Sequence, residues 1–147
     1  MNLSKHFTLS EATFSQTAKR KGIDNTPDAE TIENMKQQAI GMEQIRELLG
    51  HPIRVSSWYR GPKLNAAVGG SKTSAHMDGF ATDFTCSGYG NVLEICRAIM
   101  DSTIEFDQLI REFDDENGGG WCHCSFRPTM RRQCLTIDAN GTRNGIA

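Results

Sequence analysis

Ile32, Met35, Ala39, Met42, Ile45 and Leu49 recur at intervals of three and four, a spacing that predicts one long amphipathic helix with an apolar stripe turned to a core. Thr26 is expected as its N-cap and Pro27 as its first helical residue, and Gly50 is expected to end it. The stripe holds two methionines, and core packing is its ordinary use. Upstream, Thr8 to Glu11 reads TLSE, a capping box with Phe7 and Ala12 placed for a weak hydrophobic staple, so a short helix is expected there. After Gly50 the period falls to two. PIRVSS alternates Ile53 and Val55 with polar neighbours, and ATDFTC, FDQLIREF and CLTI continue in the same way. A helix over Asn91 to Asp101, with Val92, Ile95 or Cys96, and Ile99 on one side, interrupts these strands. Helices followed by short strands predict an α+β fold, with N-terminal helices packed on a small, mostly antiparallel sheet.

The 147 residues suit a single domain. Residues 1–50 form its helical part, residues 51–137 its core and residues 138–147 a C-terminal tail, while DDENGGG, Asp114 to Gly120, is expected to be a flexible loop between two strands. Hydrophobic residues make up 37% of the chain and no apolar run reaches the roughly 18 residues a membrane span needs, so membrane insertion is not expected. The start, MNLSKHFTLSEATF, lacks the features of a secretory signal, which points to a cytoplasmic protein. Sixteen basic against eighteen acidic residues give a net charge of −2 with the basic residues dispersed, which argues against nucleic acid as a partner. Five cysteines without an export signal are expected to be reduced.

Candidate chemistry gathers in two segments. SKTSAHMDGFATDF places His76 and Asp83 seven residues apart around Gly79, with the small Ala81 letting the strand of Asp83 approach a neighbour closely. In WCHCSF the alternation puts Trp121, His123 and Ser125 on one face and Cys122, Cys124 and Phe126 on the other, so sulfur and imidazole part company. The cysteines then read as small buried thiols, and His76, Asp83 and His123 as a three-ligand set of the kind that leaves catalytic zinc a fourth position. His6 and His51 lack comparable surroundings and read as surface or capping residues.

These segments resemble the zinc D-alanyl-D-alanine carboxypeptidases and related murein peptidases, whose fold is shared with the Hedgehog signalling domain. SAHMDGFATD matches the pattern Ser-x-His-x-x-Gly-x-Ala-x-Asp, WCHCSF matches the second metal motif, and SSWYRGPKLNAAVGGSKTSAH matches the segment that introduces the site. The resemblance runs from about Val55 to Phe126 and is nearest to small phage-encoded, endolysin-like members. It implies that His76, Asp83 and His123 bind zinc, and that Arg60 binds substrate or stabilises the transition state. Ser74 and Asn65 are expected to line the substrate groove. Many members carry a catalytic glutamate three residues before the last histidine, where this chain has Gly120. Glu112 is the expected replacement, since Gln108, Ile110 and Glu112 alternate onto one face of a strand; Asp114, Asp115 and Glu116 are its competitors.

The resemblance therefore implies a monomeric zinc peptidase acting on peptidoglycan stem peptides or cross-links, stored in the cytoplasm and reaching the wall on release, as a phage lysis enzyme does. D-alanyl-D-alanine, a cross-bridge and L-alanyl-D-glutamate all stand as the bond cut. A non-catalytic wall-binding or structural phage protein, and a cytoplasmic dipeptidase acting on D-amino-acid peptides, are the alternative readings.

Overall fold

The computed structural model describes residues 1–114 and 119–147. In chain order these form α1 (Leu9–Thr13), α2 (Gln16–Lys21), α3 (Ala29–Leu49), β1 (Arg54–Ser57), α4 (Pro62–Ala67), β2 (Ala81–Thr85), α5 (Val92–Met100), β3 (Gln108–Glu112), β4 (Trp121–Ser125), β5 (Gln133–Asp138) and β6 (Gly141–Asn144). The fold is α+β with N-terminal helices and a mostly antiparallel open sheet, as the periodicity predicts.

The six strands run in the order β1-β2-β4-β3-β5-β6. Every neighbouring pair is antiparallel except β3 and β5. Because side chains alternate across a strand, each strand has one face toward the helices and one away from them. Met35, Ala39, Met42, Ile45 and Leu49 of α3, with Val92, Ile95, Cys96 and Ile99 of α5, join Phe84, Leu109, Cys122 and Cys124 in one buried cluster. The opposite face carries Ala81, Asp83, His123 and Glu112. Burying the apolar stripe of α3 thus decides which way the polar groups of the strands point.

One buried polar residue ties the two layers. Gln38 is fully buried on α3; its Nε2 donates to Thr82 Oγ1 at 3.1 Å and to the Cys124 carbonyl at 2.9 Å, while its Oε1 accepts from Phe126 N at 2.9 Å. All of its hydrogen-bonding capacity toward the sheet is used, so the amide fixes α3 against β2 and β4 without leaving an unpaired group.

Several boundaries differ from expectation. The N-cap of α3 is Asp28, whose carboxylate accepts from Thr31 N at 2.8 Å, while Thr26 instead bonds Asp24. A carboxylate at the helix start serves both the free N–H groups and the helix dipole, so the cap settles two residues beyond Thr26. Helices α2 and α4 add two short elements between the expected ones, and β6 occupies the segment expected as a tail. The helix at Asn91 has the expected limits, with Asn91 and Glu94 forming a capping box. Asp115 and Glu116, and most of the expected loop after β3, lie outside the described residues.

Candidate metal centre

Strand register brings the three predicted ligands together. Asp83 on β2 pairs with His123 on β4, and His123 pairs with Ile110 on β3, so the three residues line up across adjacent strands. His76 comes from the turn before β2. Gly79 has φ +84°, and a Cβ there would stand 2.6 Å from Met35 Cγ; only glycine lets this turn lie against α3 and deliver both His76 and Asp83 to one face.

The ligand atoms of His76, Asp83 and His123 all lie within 4.8 Å of one another, and all three residues are buried. Asp83 Oδ2 is 3.2 Å from His76 Nε2, and Asp83 Oδ1 is 2.9 Å from His123 Nδ1. His76 Nδ1 is 2.6 Å from the Trp58 carbonyl. A carbonyl only accepts, so Nδ1 carries the proton and Nε2 presents its lone pair to the site. That Nε2 is buried without a hydrogen-bond partner among the described residues. An unprotonated nitrogen, a carboxylate and a second imidazole converging in this way form a set that could hold a metal ion, and the N/O chemistry fits zinc.

Trp58 is itself fixed at its other end, where its indole Nε1 donates to the Gly79 carbonyl at 2.9 Å. Arg60 N donates to the His76 carbonyl at 3.0 Å. The segment SWYR is therefore clamped along the turn that carries His76, and the histidine's ring orientation is set by backbone from outside its own loop.

Glu112 stands two residues beyond Ile110 on the same face of β3, opposite Trp121, with Oε1 3.4 Å from His123 Nδ1. Burial pushes its carboxyl above the ordinary range, assisted by the charge of Asp83 and opposed by His123 and Arg60. For Asp83 burial also opposes ionisation, but the two imidazoles beside it, His76 and His123, hold its carboxyl well below the usual range. The Arg60 guanidinium is largely desolvated, which weakens its hold on its proton, and its Nε has no partner among the described residues. At position 120 a Cβ would fall 2.5 Å from Asp114 N and Cα at a φ of +93°, so a glutamate side chain has no room there.

A groove crosses this face in two arms. One, of about 530 Å³, holds His76, Asp83, His123 and Glu112 and is walled by Gly69, Gly70, Ser71, Ser74 and Phe113. The other, of about 500 Å³, runs between α2 and β1. Arg60, Val68, Asp83 and Trp121 line both, so the arms meet at the metal centre. Ser74 lies in the groove wall. Asn65 does not: it is 3% exposed and donates from Nδ2 to the Ser71 carbonyl at 2.9 Å, so it braces the wall from behind. Asp114 is bound to Arg111 Nε at 2.8 Å. His6 is on the surface, paired with Glu43, and His51 is exposed. None of the five cysteines is in a disulfide, and Cys122 and Cys124 are buried on the helix side of β4, away from His123. The orienting carbonyl of Trp58 and the second arm were not anticipated from the sequence; Trp58 and His76 stand 18 positions apart, with no local signal for that contact.

A family model described as Peptidase M15 matches residues 5–116. The match takes in His76, Asp83, Arg60 and Glu112 but stops before β4, so His123 joins the group through strand register alone. No curated protein matches the chain.

Proposed function

The chain belongs to the peptidase M15 family, and from that membership we propose that it is a zinc-dependent hydrolase of peptide bonds in peptidoglycan stem peptides or their cross-links, used to open a bacterial wall in phage lysis. The observation that carries the reading is the convergence of His76, Asp83 and His123 at the junction of a two-armed groove, with His76 Nε2 buried and unpartnered. Among the described residues no helix is long and apolar enough to cross a membrane.

His76 Nε2, Asp83 and His123 Nδ1 would hold the metal, and zinc bound there supplies the Lewis acidity that polarises a peptide carbonyl and makes a water acidic. Trp58 keeps His76 in the tautomer with a free Nε2. Glu112, with its proton affinity raised by burial, takes the proton of the attacking water and returns it to the departing amine. Arg60, desolvated and facing both arms, donates to the oxygen on which charge develops or to a substrate carboxylate. Ser74 contributes to the wall along which the peptide lies, and Asn65 holds that wall in place through Ser71.

Glu112 weighs against a purely wall-binding role. The glycine at position 120 removes the usual glutamate, yet a second carboxylate reaches the same site from β3. The test is incubation of the zinc-loaded protein with intact murein sacculi and mass analysis of what is released. Peptide fragments bearing a new amino terminus support the proposal, and their identity names the bond. Binding without release supports the wall-binding alternative, and activity confined to free dipeptides supports the dipeptidase.

A further inference from the structure

We infer that the arm between α2 and β1 is a substrate subsite in which Arg54 receives a carboxylate of the peptide, about two residues from the bond that is cut. The inference rests on the peptidase reading and deepens it. A chain occupying both arms extends on each side of the metal centre, so the subsite belongs to an enzyme that cuts inside a peptide.

The distance follows from strand register. Ser57 of β1 pairs with Asp83, and Arg54 pairs with Thr85 at the far end of the same strand. A bulge between Val55 and Ser57 sets three residues of β1 against the two from Thr85 to Asp83, which cover about 7 Å at about 3.3 Å each. An extended peptide has a similar rise, so a substrate residue beside Arg54 is about two removed from one beside Asp83. Arg54 and Ser56 are both exposed along β1, while Val55 packs toward the core, so the guanidinium is on the side that lines the arm.

The arm's chemistry selects the charge. Beyond Asp83 and Arg60, which belong to the metal centre, its lining is neutral except for Arg54: Ser15, Gln16, Thr17 and Ser57 offer hydrogen bonds. Arg54 is exposed and forms no ion pair with any described residue. A planar guanidinium with no ion-pair partner among the described residues, in an arm whose other charged groups belong to the metal centre, matches a carboxylate. Stem peptides carry free carboxylates on glutamate, on a diamino acid and at the C-terminus, and the bacterial wall presents some of these as carboxamides.

The experiment measures binding, so that it does not depend on turnover. Zinc-loaded Glu112→Gln protein is titrated calorimetrically with synthetic stem peptides in which each carboxylate in turn is a carboxamide, and the titrations are repeated with Arg54→Gln added. One amidation should weaken binding to the parent by about ten- to a hundredfold, as loss of a charge-assisted hydrogen-bonded pair does. That difference should disappear in the double variant, and Arg54→Lys should restore part of it. Arg54 is an exposed residue of an edge strand, and an unchanged melting temperature would confirm that its replacement leaves the fold intact. If the double variant still discriminates the same amidated peptide, another group reads the carboxylate and the subsite is refuted while the peptidase reading stands. If the parent binds all the peptides equally, the subsite is refuted in the same way. If the parent binds none of them, the substrate class itself fails and the subsite with it.

Discussion

Replacing Glu112 by Gln keeps the size and shape of the side chain and removes its ability to accept a proton. The structure provides no substitute among the described residues. Asp83 is engaged by both histidines, and Asp114 is held by Arg111, 2.8 Å from its Nε. With no second base in reach among the described residues, the loss should be at least that of a missing general base, about a hundredfold, which corresponds to about 2.7 kcal/mol of barrier. The assay is initial rates of fragment release from sacculi at saturating substrate, with zinc content measured on the same sample. The variant should hold its zinc and its melting temperature, because Glu112 lies outside the His76, Asp83 and His123 group. Asp114→Asn is the control and should stay near the wild-type rate. A Glu112→Gln protein that turns over normally, or one that is slow only because its zinc is gone, would refute the assignment.

His76→Ala should lose metal and activity together if Nε2 is one of three protein ligands, as proposed; retained zinc occupancy by elemental analysis would show the ligand set to be wrong. Arg60→Lys keeps the charge but not the planar pair of donors, so steady-state kinetics on a defined stem peptide should show kcat falling by about tenfold or more with KM little changed; unchanged constants would remove Arg60 from the reaction. Away from the site, Asp107 is 1% exposed and its carboxylate accepts from Thr129 Oγ1 and from Arg131 N, Nε and Nη2. The Arg131 hydrogen bonds hold its pKa down to about 2 from 3.8. A lowered carboxylate pKa contributes stability that is fully present above about 3.8 and is lost as pH falls through about 2. With Arg131 half exposed, the contribution is about 1–2 kcal/mol. Denaturant unfolding of wild type and Asp107→Asn should therefore differ by about that amount at pH 6 and converge toward pH 2; a pH-independent difference would contradict the assignment.

The parts of the site carried by strong alternation were legible in the sequence. WCHCSF separates His123 from two thiols because a strand can only alternate, and β4 does so, with Cys122 and Cys124 in the core and His123 paired with Asp83. The same rule put Glu112 and Ile110 on one face of β3. What escaped were elements too short or too polar to leave a period. α2 and α4 each have six residues, and β6, with the sequence GTRN, is exposed throughout. Thr26 and Asp28 are both good caps, and only the helix register chooses between them. The burial of Asn65 behind Ser71 depends on how the Gly69–Gly70 turn folds back, which composition does not encode.

The central claim is that His76, Asp83 and His123 form a catalytic zinc centre. Its most direct test is titration of chelator-stripped protein with zinc while fragment release from sacculi is followed. Activity should be absent without metal, rise in proportion to added zinc and level off at one ion per chain, with His123→Ala giving no rise at all. Full activity in the stripped protein, or none when one zinc per chain is bound, would contradict it.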